Sequence, residues 1–219
     1  MNIKGAIFDM DGTLIDSLPF WKFLWGKIGE KYLNNPSFYP ELEDDKTIRT
    51  TTLENGMELI HKKYNIASSG EELSNFTRDL LQWYYEDVVP LKDGVIEFLD
   101  FLKSKGVKMC VASASAGGLV KLCMKKFNLD RYFIDIVSCN DVGKGKDFPD
   151  VFFAGQKLLG TTLDETFVVE DSLLALTTAK NAGFKTIGVY DEYNYGYEEI
   201  EKIATYLVGK GETFKKFIK

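Results

Sequence analysis

The chain has 219 residues, which suits one ordinary domain or a core domain that carries a modest insertion. Hydrophobic residue types make up 45% of it and charged types 27%, a mixture that argues against disorder, a collagen-like fibre or a disulfide-stapled miniprotein. Lys and Arg number 27 against 33 Asp and Glu, so the net charge is −6. Such a chain is a poor candidate for nucleic-acid binding, which rewards clustered basic residues.

Targeting and redox signals in the chain are sparse. No apolar run is long enough to span a bilayer, and the first one, 3–8, stops at Asp9 and is too short for a signal peptide. We therefore expect a cytoplasmic protein with no membrane partner. The single histidine, His61, is too few for a multi-histidine zinc site. The widely spaced cysteines are predicted to be buried free thiols: Cys110, Cys123 and Cys139.

The predicted elements begin with a buried strand over 3–8, a short apolar run that ends in acids. An all-helical stretch follows from about 18 to 87, interrupted by the breaker segment 34–40. Its first helix carries apolar residues on one face at three- and four-residue spacing: Trp21, Leu24, Trp25, Ile28 and Tyr32. Two further amphipathic helices are predicted over 50–65 and 71–87.

From residue 90 onward, predicted helices and strands alternate. Helices are predicted over 93–104, 117–127, 149–159 and 171–181, and strands over 107–112, 134–138, 167–169 and 185–190. This alternation is typical of βαβ units and predicts an α/β fold with a doubly wound, mainly parallel sheet. We assign 1–16 and 89–219 to this α/β core and 17–88 to an inserted all-helical domain, with a candidate hinge where the two connect.

Residues able to do chemistry follow successive predicted strands: Asp9 and Asp11, then Ser113, then Lys146, then Glu170 and Asp171. In an open α/β sheet, ligands bind at the carboxyl ends of the strands. Each group alone is a weak signal, but the shared location predicts one functional site.

The two acidic pairs are candidate metal ligands. A carboxylate directly after a buried strand is costly unless a cation, hydrogen bonds or water meet it, and Gly12 permits a turn that brings Asp9 and Asp11 together. An EF-hand is excluded because that loop needs glycine sixth and glutamate twelfth. Each pair has a purely structural alternative: an acidic turn for the first and, for the second, a helix N-cap formed by Asp171 or Ser172. Together they supply three or four oxygen ligands, which suits Mg²⁺.

Ser113 and Lys146 are candidate phosphate ligands. A serine nucleophile is disfavoured because His61 lies in the helical stretch, so Ser113 is better read as a hydroxyl donor. Its alternative is a turn serine, and Ser115 is equally well placed. Lys146 lies outside any Walker A spacing and is either a solvated charge or a partner of the carboxylates and of a transferred phosphoryl group.

These residue types suit phosphoryl transfer to an aspartate. A carboxylate attacks phosphorus, and water later hydrolyses the aspartyl-phosphate. A divalent cation, a lysine and small donors stabilise the phosphoryl oxygens, and a second carboxyl group gives the leaving alkoxide its proton.

The same residues resemble the four motifs of the haloacid dehalogenase superfamily of phosphatases and phosphomutases. The motifs are similar, in order, to 8–17 (FDMDGTLIDS), 111–115 (VASAS), 146–152 (KDFPDVF) and 168–172 (VVEDS). The resemblance covers nearly the whole chain, and the ordered set of four is very specific. It implies a Rossmann-like core with a helical cap, in a subgroup similar to β-phosphoglucomutase.

By this resemblance Asp9 is the nucleophile and Asp11 the general acid/base, while Ser113 and Lys146 bind the phosphoryl group. The implied Mg²⁺ ligands are Asp9, the Asp11 backbone carbonyl, Asp171 and Glu170, the last either directly or from an outer position. In the cap, Arg49 stands where the subgroup has an arginine for the substrate's second phosphate; its alternative is a solvated helix-end charge. The chain departs from the pattern in several places: Asp147 replaces a usual proline, Ala175 replaces a common glycine, the glycine expected just before Arg49 is absent, and 18–29 lacks the histidine that mutases carry there.

We therefore expect a Mg²⁺-dependent phosphatase that hydrolyses a small phosphorylated metabolite, such as a sugar phosphate, through an aspartyl-phosphate. The alternative is a β-phosphoglucomutase-like sugar phosphomutase, which Arg49 favours and the missing histidine disfavours. A non-catalytic binding module and a dehalogenase are both disfavoured by Asp11, because neither needs a proton-transfer group. We expect a monomer or a weak dimer.

Overall fold

The computed structural model describes residues 3–49, 51–115 and 117–218. Its contacts divide the chain into two units, Met1–Leu18 with Val89–Lys219, and Pro19–Val88. We call these the sheet unit and the helical unit and describe each by itself. None of the described helices is long and apolar enough to cross a membrane.

The helical unit contains helices α1 (Pro19–Ile28), α2 (Leu42–Ile48), α3 (Leu53–Tyr64) and α4 (Gly70–Trp83), with π-helical turns over Gly29–Leu33 and Tyr84–Val88. The helix predicted to begin at Thr50 has its start outside the described residues. In the structure Thr52 is its N-cap, because the Thr52 side chain accepts a hydrogen bond from the Asn55 backbone N–H at 3.3 Å. Helix α2 was not predicted, since its charged sequence LEDDKTI has no apolar periodicity.

A buried polar group lies inside the helical unit. The side chains of Trp25 and Asp45 are both fully buried, and Trp25 Nε1 donates to Asp45 Oδ1 at 2.7 Å. The other carboxylate oxygen of Asp45 pairs with Arg49 Nη2, also at 2.7 Å. A buried carboxylate is tolerated when its oxygens are hydrogen-bonded, so this pairing stabilises the packing of α1 against α2.

In the described residues of the sheet unit, six parallel strands form one sheet in the order β3-β2-β1-β4-β5-β6. The strands are β1 (Gly5–Phe8), β2 (Lys108–Ser113), β3 (Phe133–Ser138), β4 (Thr166–Glu170), β5 (Lys185–Val189) and β6 (Tyr206–Val208). The predicted doubly wound α/β class is confirmed. Strand β6 escaped prediction because three residues carry too little pattern.

The helices of the sheet unit are α5 (Val95–Ser104), α6 (Gly117–Lys126), α7 (Cys139–Val142), α8 (Asp150–Leu159), α9 (Leu173–Asn181) and α10 (Tyr197–Ile203), with 3-10 turns over Leu163–Glu165 and Phe214–Phe217. Helices α7 and α10 were not predicted. Because α7 follows β3 directly, Lys146 lies beyond this helix and not at the strand end. The cysteines are buried free thiols, as predicted.

Adjacent residues of β1 pack on opposite faces of the sheet, as the pleat requires. Ile7 belongs to a buried cluster that includes Val168 of β4 and residues of α8 and α9. Phe8 meets the rings of Phe98 and Phe133, with ring centroids 6.3 and 5.7 Å away. The central strand is therefore covered on both faces, as parallel strands need, and its carboxyl end is held on a rigid frame.

The two chain segments that connect the units are hydrogen-bonded to each other within the sheet unit. The Asp16 backbone N–H donates to the Pro90 carbonyl at 2.9 Å, and the Lys92 N–H donates to the Leu14 carbonyl at 3.0 Å. These bonds join the predicted hinge segments into a short antiparallel pair.

Trp25→Phe should destabilise the helical unit, because it removes the donor to the buried Asp45 carboxylate while keeping most of the apolar packing. We expect the free energy of unfolding to fall by about 1–3 kcal/mol. Denaturation followed by far-ultraviolet circular dichroism measures this. Trp83→Phe is the matched control, since Trp83 is 43% exposed and its change should stay within about 0.5 kcal/mol. Equal losses in the two variants would contradict the assignment.

Candidate functional site

The site forms where the strand order of the sheet reverses. Strand β1 pairs with β2 on one side and with β4 on the other, and the Asp9 backbone N–H extends the β1–β4 ladder by donating to the Val169 carbonyl at 2.9 Å. This pairing places Asp9 beside Glu170, which ends β4, and Asp171, which follows it. Such a reversal point, at the carboxyl ends of the strands, is the usual ligand crevice of doubly wound sheets.

Three carboxylates meet at this point. Asp9, Glu170 and Asp171 each offer an oxygen within 4.8 Å of the others, and all three residues are buried. A set of hard oxygen donors at this spacing suits a small divalent cation. The predicted convergence of the two acidic segments is thus present in the structure, while the predicted N-cap is also present, because the Ser172 side chain accepts the Ala175 backbone N–H at 3.5 Å.

Lys146 is the positive partner of the cluster. Its ammonium donates to an Asp9 carboxylate oxygen and to Glu170 Oε1, the latter at 2.6 Å, and its side chain is only 11% exposed. The second oxygen of Glu170 accepts the Ser172 backbone N–H at 2.9 Å. Lys146 is therefore not a solvated surface charge, although the sequence alone left that alternative open.

The carboxylates of the cluster repel one another. Burial raises the pKa of Asp9, the charges of Glu170 and Asp11 raise it further, and Lys146 opposes them. Burial also raises the pKa of Asp171, with the charges of Glu170 and Asp9 acting in the same direction. Burial lowers the pKa of Lys146, but the charges of Asp9 and Glu170 outweigh it and raise that pKa overall. A bound cation would favour the ionised carboxylates.

Asp11 lies next to this cluster in the chain but its carboxylate has different partners. Ser17 Oγ donates to Asp11 Oδ1 at 2.9 Å, and Ser115 Oγ donates to Asp11 Oδ2 at 2.6 Å. Ser115, which the sequence analysis named only as an alternative to Ser113, is therefore a hydrogen-bond donor to the Asp11 carboxylate. This contact could not be predicted from the sequence, because Asp11 and Ser115 are more than a hundred residues apart in the chain.

Ser113 ends β2, the neighbour of β1, and is 1% exposed. Its Oγ accepts the Ser115 backbone N–H at 3.0 Å, which leaves the hydroxyl hydrogen to donate elsewhere. Among the described residues, the predicted Ser113, Lys146 and the acidic residues all belong to the sheet unit and to the carboxyl-end side of its strands.

Two residues that the sequence reasoning missed grip Asp171. Thr13 Oγ1 donates to Asp171 Oδ1 at 3.1 Å, and Asn194 Nδ2 donates to Asp171 Oδ2 at 2.6 Å. Thr13 stands inside the acidic motif, so its proximity could have been anticipated. Asn194 lies in the loop after β5, in a sequence that carries no motif.

Arg49, the predicted substrate residue, belongs to the helical unit. Its side chain is 12% exposed, pairs with Asp45 at 2.7 Å and lies 5.4 Å from the centre of the Trp21 ring. It ends α2 but is not a solvated helix-end charge. A role in substrate binding stays a prediction.

Comparison with known proteins points to one family. A family model described as haloacid dehalogenase-like hydrolase matches residues 6–189. The chain is 26% identical over 208 residues to a phosphorylated carbohydrates phosphatase of Thermotoga maritima, covering 94% of each chain. It is 27% identical over 198 residues to the pyrophosphatase PpaX of Bacillus mycoides, covering 86% of this chain and 84% of the relative. The fold matches a crystal structure of CbbY from Rhodobacter sphaeroides with xylulose-1,5-bisphosphate, with a TM-score of 0.77, 19% identity, and coverage of 99% and 96%.

Gly12→Ala should disturb the carboxylate cluster, because Gly12 has φ +76° and an added Cβ would lie 2.3 Å from Asp171 Oδ2. Gly106→Ala is the matched control, since Gly106 has φ +72° and no described atom lies within 4 Å of a Cβ there. Both variants should lose about 1–2 kcal/mol of unfolding free energy to the left-handed backbone. Gly12→Ala should lose about 1–3 kcal/mol more from the clash, measured by urea denaturation. Equal losses would show that Asp171 is not tightly held there.

Proposed function

The chain belongs to the haloacid dehalogenase-like hydrolase family and is a phosphatase of that family, and we propose that it hydrolyses a small phosphorylated metabolite with the help of Mg²⁺ and through an aspartyl-phosphate. The observation that carries this proposal is the buried group of Asp9, Glu170 and Asp171 with Lys146 donating to two of its members. An anionic phosphate ester needs positive charge around its reacting phosphorus, which Lys146 and a divalent cation bound to the carboxylates would supply beside Asp9.

The donor set suits Mg²⁺. In their charged forms, three carboxylates and one ammonium sum to two negative charges in a buried space, which a divalent cation would balance. We assign Asp9, Asp171, Glu170 and the Asp11 backbone carbonyl as its ligands. When bound, Mg²⁺ would neutralise charge on the phosphoryl oxygens and on the attacking carboxylate.

Asp9 is the proposed nucleophile. A carboxylate oxygen of Asp9 forms a bond to phosphorus while the bond from phosphorus to the ester oxygen breaks, which leaves the phosphoryl group on Asp9. A water oxygen then attacks the same phosphorus, the bond to Asp9 breaks, and inorganic phosphate departs. The end of a central, covered strand suits this role because it fixes the nucleophile in position.

Asp11 is the proposed proton carrier. It gives a proton to the leaving ester oxygen in the first step and accepts one from the attacking water in the second. The hydroxyls of Ser17 and Ser115 hold its two oxygens in one orientation, separate from the three-carboxylate group. This separation lets one residue of the pair bond to phosphorus while the other moves protons.

Lys146 and Ser113 are the proposed phosphate ligands. The Lys146 ammonium already bridges Asp9 and Glu170, so it is placed to bind a phosphoryl oxygen beside the nucleophile. Ser113 would donate its hydroxyl hydrogen to another oxygen. Both interactions grow as negative charge moves onto the phosphoryl oxygens during transfer.

Sugar phosphates are the proposed substrate class. The relative that acts on phosphorylated carbohydrates matches the chain over 94% of its length, while the pyrophosphatase matches over 86%. The phosphatase assignment is preferred over a phosphomutase because 18–29 contains no histidine. The helical unit is proposed as the cap that selects substrate, with Arg49 as a candidate contact.

Wild-type enzyme should release phosphate from members of a panel of sugar phosphates, and Asp9→Asn should lower that rate by at least about 10³-fold because no nucleophile remains. ³¹P nuclear magnetic resonance measures ester consumed and phosphate released in one sample. Asp130→Asn is the control, since Asp130 is an exposed aspartate of the same unit whose loss should not change the rate.

Each result of this panel has a distinct meaning. Release of one phosphate per ester consumed supports a phosphatase, whereas interconversion of hexose phosphates without net release would support the phosphomutase instead. Including pyrophosphate in the panel tests whether the chain has the activity for which its PpaX relative is named. Full activity in Asp9→Asn would overturn the aspartyl-phosphate mechanism.

Mg²⁺ should stabilise the metal-free protein, by about 2.7 kcal/mol when its concentration is a hundred times the dissociation constant. Asp171→Asn should abolish most of this gain because it removes one of the converging carboxylates. Thermal unfolding with and without Mg²⁺ measures the effect, with Asp130→Asn again as the control. A gain in Asp171→Asn equal to that of the wild type would place the ion elsewhere.

A further inference from the structure

We propose that Asn194 is a positioning residue that sets the orientation of Asp171 for the divalent cation, an inference that rests on the metal site proposed above. Asn194 Nδ2 donates both to Asp171 Oδ2, at 2.6 Å, and to the Asp171 backbone carbonyl, at 3.0 Å. One amide group thus fixes the side chain and the main chain of the same residue, which restrains the torsion between them.

The amide of Asn194 has a defined direction. Its Oδ1 accepts the Tyr195 backbone N–H at 2.8 Å, so its oxygen is already committed and its NH₂ group faces Asp171. An NH₂ group can only donate, and a carboxylate can only accept when ionised. The contact therefore fixes the orientation of the Asp171 carboxylate through a donor whose own direction is set.

The Asp171 carboxylate is held from two sides. Thr13, in the loop after β1, donates to Oδ1, while Asn194 donates to Oδ2. Each carboxylate oxygen has a further lone pair, so both hydrogen bonds leave room for a cation. Asp171 lies between the end of β4 and the N-cap of α9, so it is outside the β4–β5 pairing that includes Glu170. The two side-chain donors are therefore the main restraint on its carboxylate.

The loop that carries Asn194 is itself anchored. Asp191 is 5% exposed and accepts the Tyr193 backbone N–H at 2.8 Å through Oδ1. Lys92 donates to Asp191 Oδ2 at 2.6 Å and lies 3.8 Å from Asp16 Oδ1. Lys92 and Asp16 are members of the paired connecting segments, so the loop is tied to the segment pair on one side and to Asp171 on the other.

This arrangement gives Asn194 a role in metal affinity beyond loop packing. Groups that orient metal ligands commonly contribute 10–100-fold to affinity, because a ligand that must be reoriented on binding binds more weakly. Without Asn194, Asp171 Oδ2 would lose its donor while Thr13 still bound Oδ1. The repulsion from Glu170 and Asp9 would then favour rotation of the Asp171 carboxylate away from the cluster.

The test is titration of the metal-free full-length protein with Mg²⁺ by isothermal calorimetry. Asn194→Ala should raise the dissociation constant about 10–100-fold. Asn194→Gln keeps an amide with altered reach and should show a smaller increase, and it carries the test if Asn194→Ala does not fold. Asn181→Ala, an exposed asparagine at the end of α9, is the matched control and should bind like the wild type.

A purely structural role for Asn194 would behave differently. It would lower the unfolding free energy of the metal-free protein and leave the Mg²⁺ dissociation constant of the folded variant unchanged, and that result would overturn the proposal. With the positioning role, phosphate release by Asn194→Ala should recover at saturating Mg²⁺. If the wild type itself binds no Mg²⁺, the metal site of the proposed function fails, and this inference fails with it. That result differs from equal Mg²⁺ affinities of the wild type and Asn194→Ala, which would overturn this inference alone.

Discussion

The site depends on the burial of like charges at the β1–β4 junction. Three carboxylates with oxygens within 4.8 Å of one another repel, and burial prevents water from screening that repulsion. Lys146 compensates part of it by pairing with Asp9 and Glu170, and neutral donors bind the second oxygen of Glu170 and both oxygens of Asp171. Such a cluster is costly to a fold that has no use for it. The same electrostatic repulsion would be relieved by a bound cation, which is why the cluster supports the proposed Mg²⁺ and phosphate-ester site.

The fold meets this cost with rigid elements. Ile7 and Phe8 bury β1 on opposite faces of the sheet, so the strand that presents Asp9 cannot shift to relieve the repulsion. Gly12 lets the chain turn sharply over Asp171, where any larger side chain would collide with the carboxylate. The turn after β1 and the end of β4 therefore constrain each other. This explains why the acidic motif contains glycine and threonine beside its aspartates.

Local patterns predicted the α/β class, the sheet strands other than β6, and the location of the acidic residues and Ser113 at one edge of the sheet, but they were wrong to place Lys146 directly after β3, because α7 intervenes. They succeeded because strand ends in parallel sheets share an edge, whatever the intervening sequence. They did not predict α2 or β6, where charge or shortness hides periodicity. They also gave no indication of Ser115 on Asp11 or Asn194 on Asp171, because hydrogen bonds between residues far apart in the chain leave no periodic trace. The orientation of the site residues was thus the part that needed the structure.

The sheet unit by itself does not distinguish hydrolysis from transfer to a sugar. In the proposed mechanism both reactions would begin with the same attack of Asp9 on phosphorus and would differ only in whether water or a hydroxyl group attacks the phosphorylated aspartate. Asp11 can accept a proton from either, so the choice depends on which acceptor is admitted. In the helical unit, Arg49 is ion-paired with the buried Asp45, which Trp25 also holds. A guanidinium that is ion-paired within its own unit attracts a second substrate phosphate less strongly than an unpaired one would. The Arg49–Asp45 pair therefore favours a substrate with one phosphate, and water as the acceptor, as in the proposed phosphatase reaction.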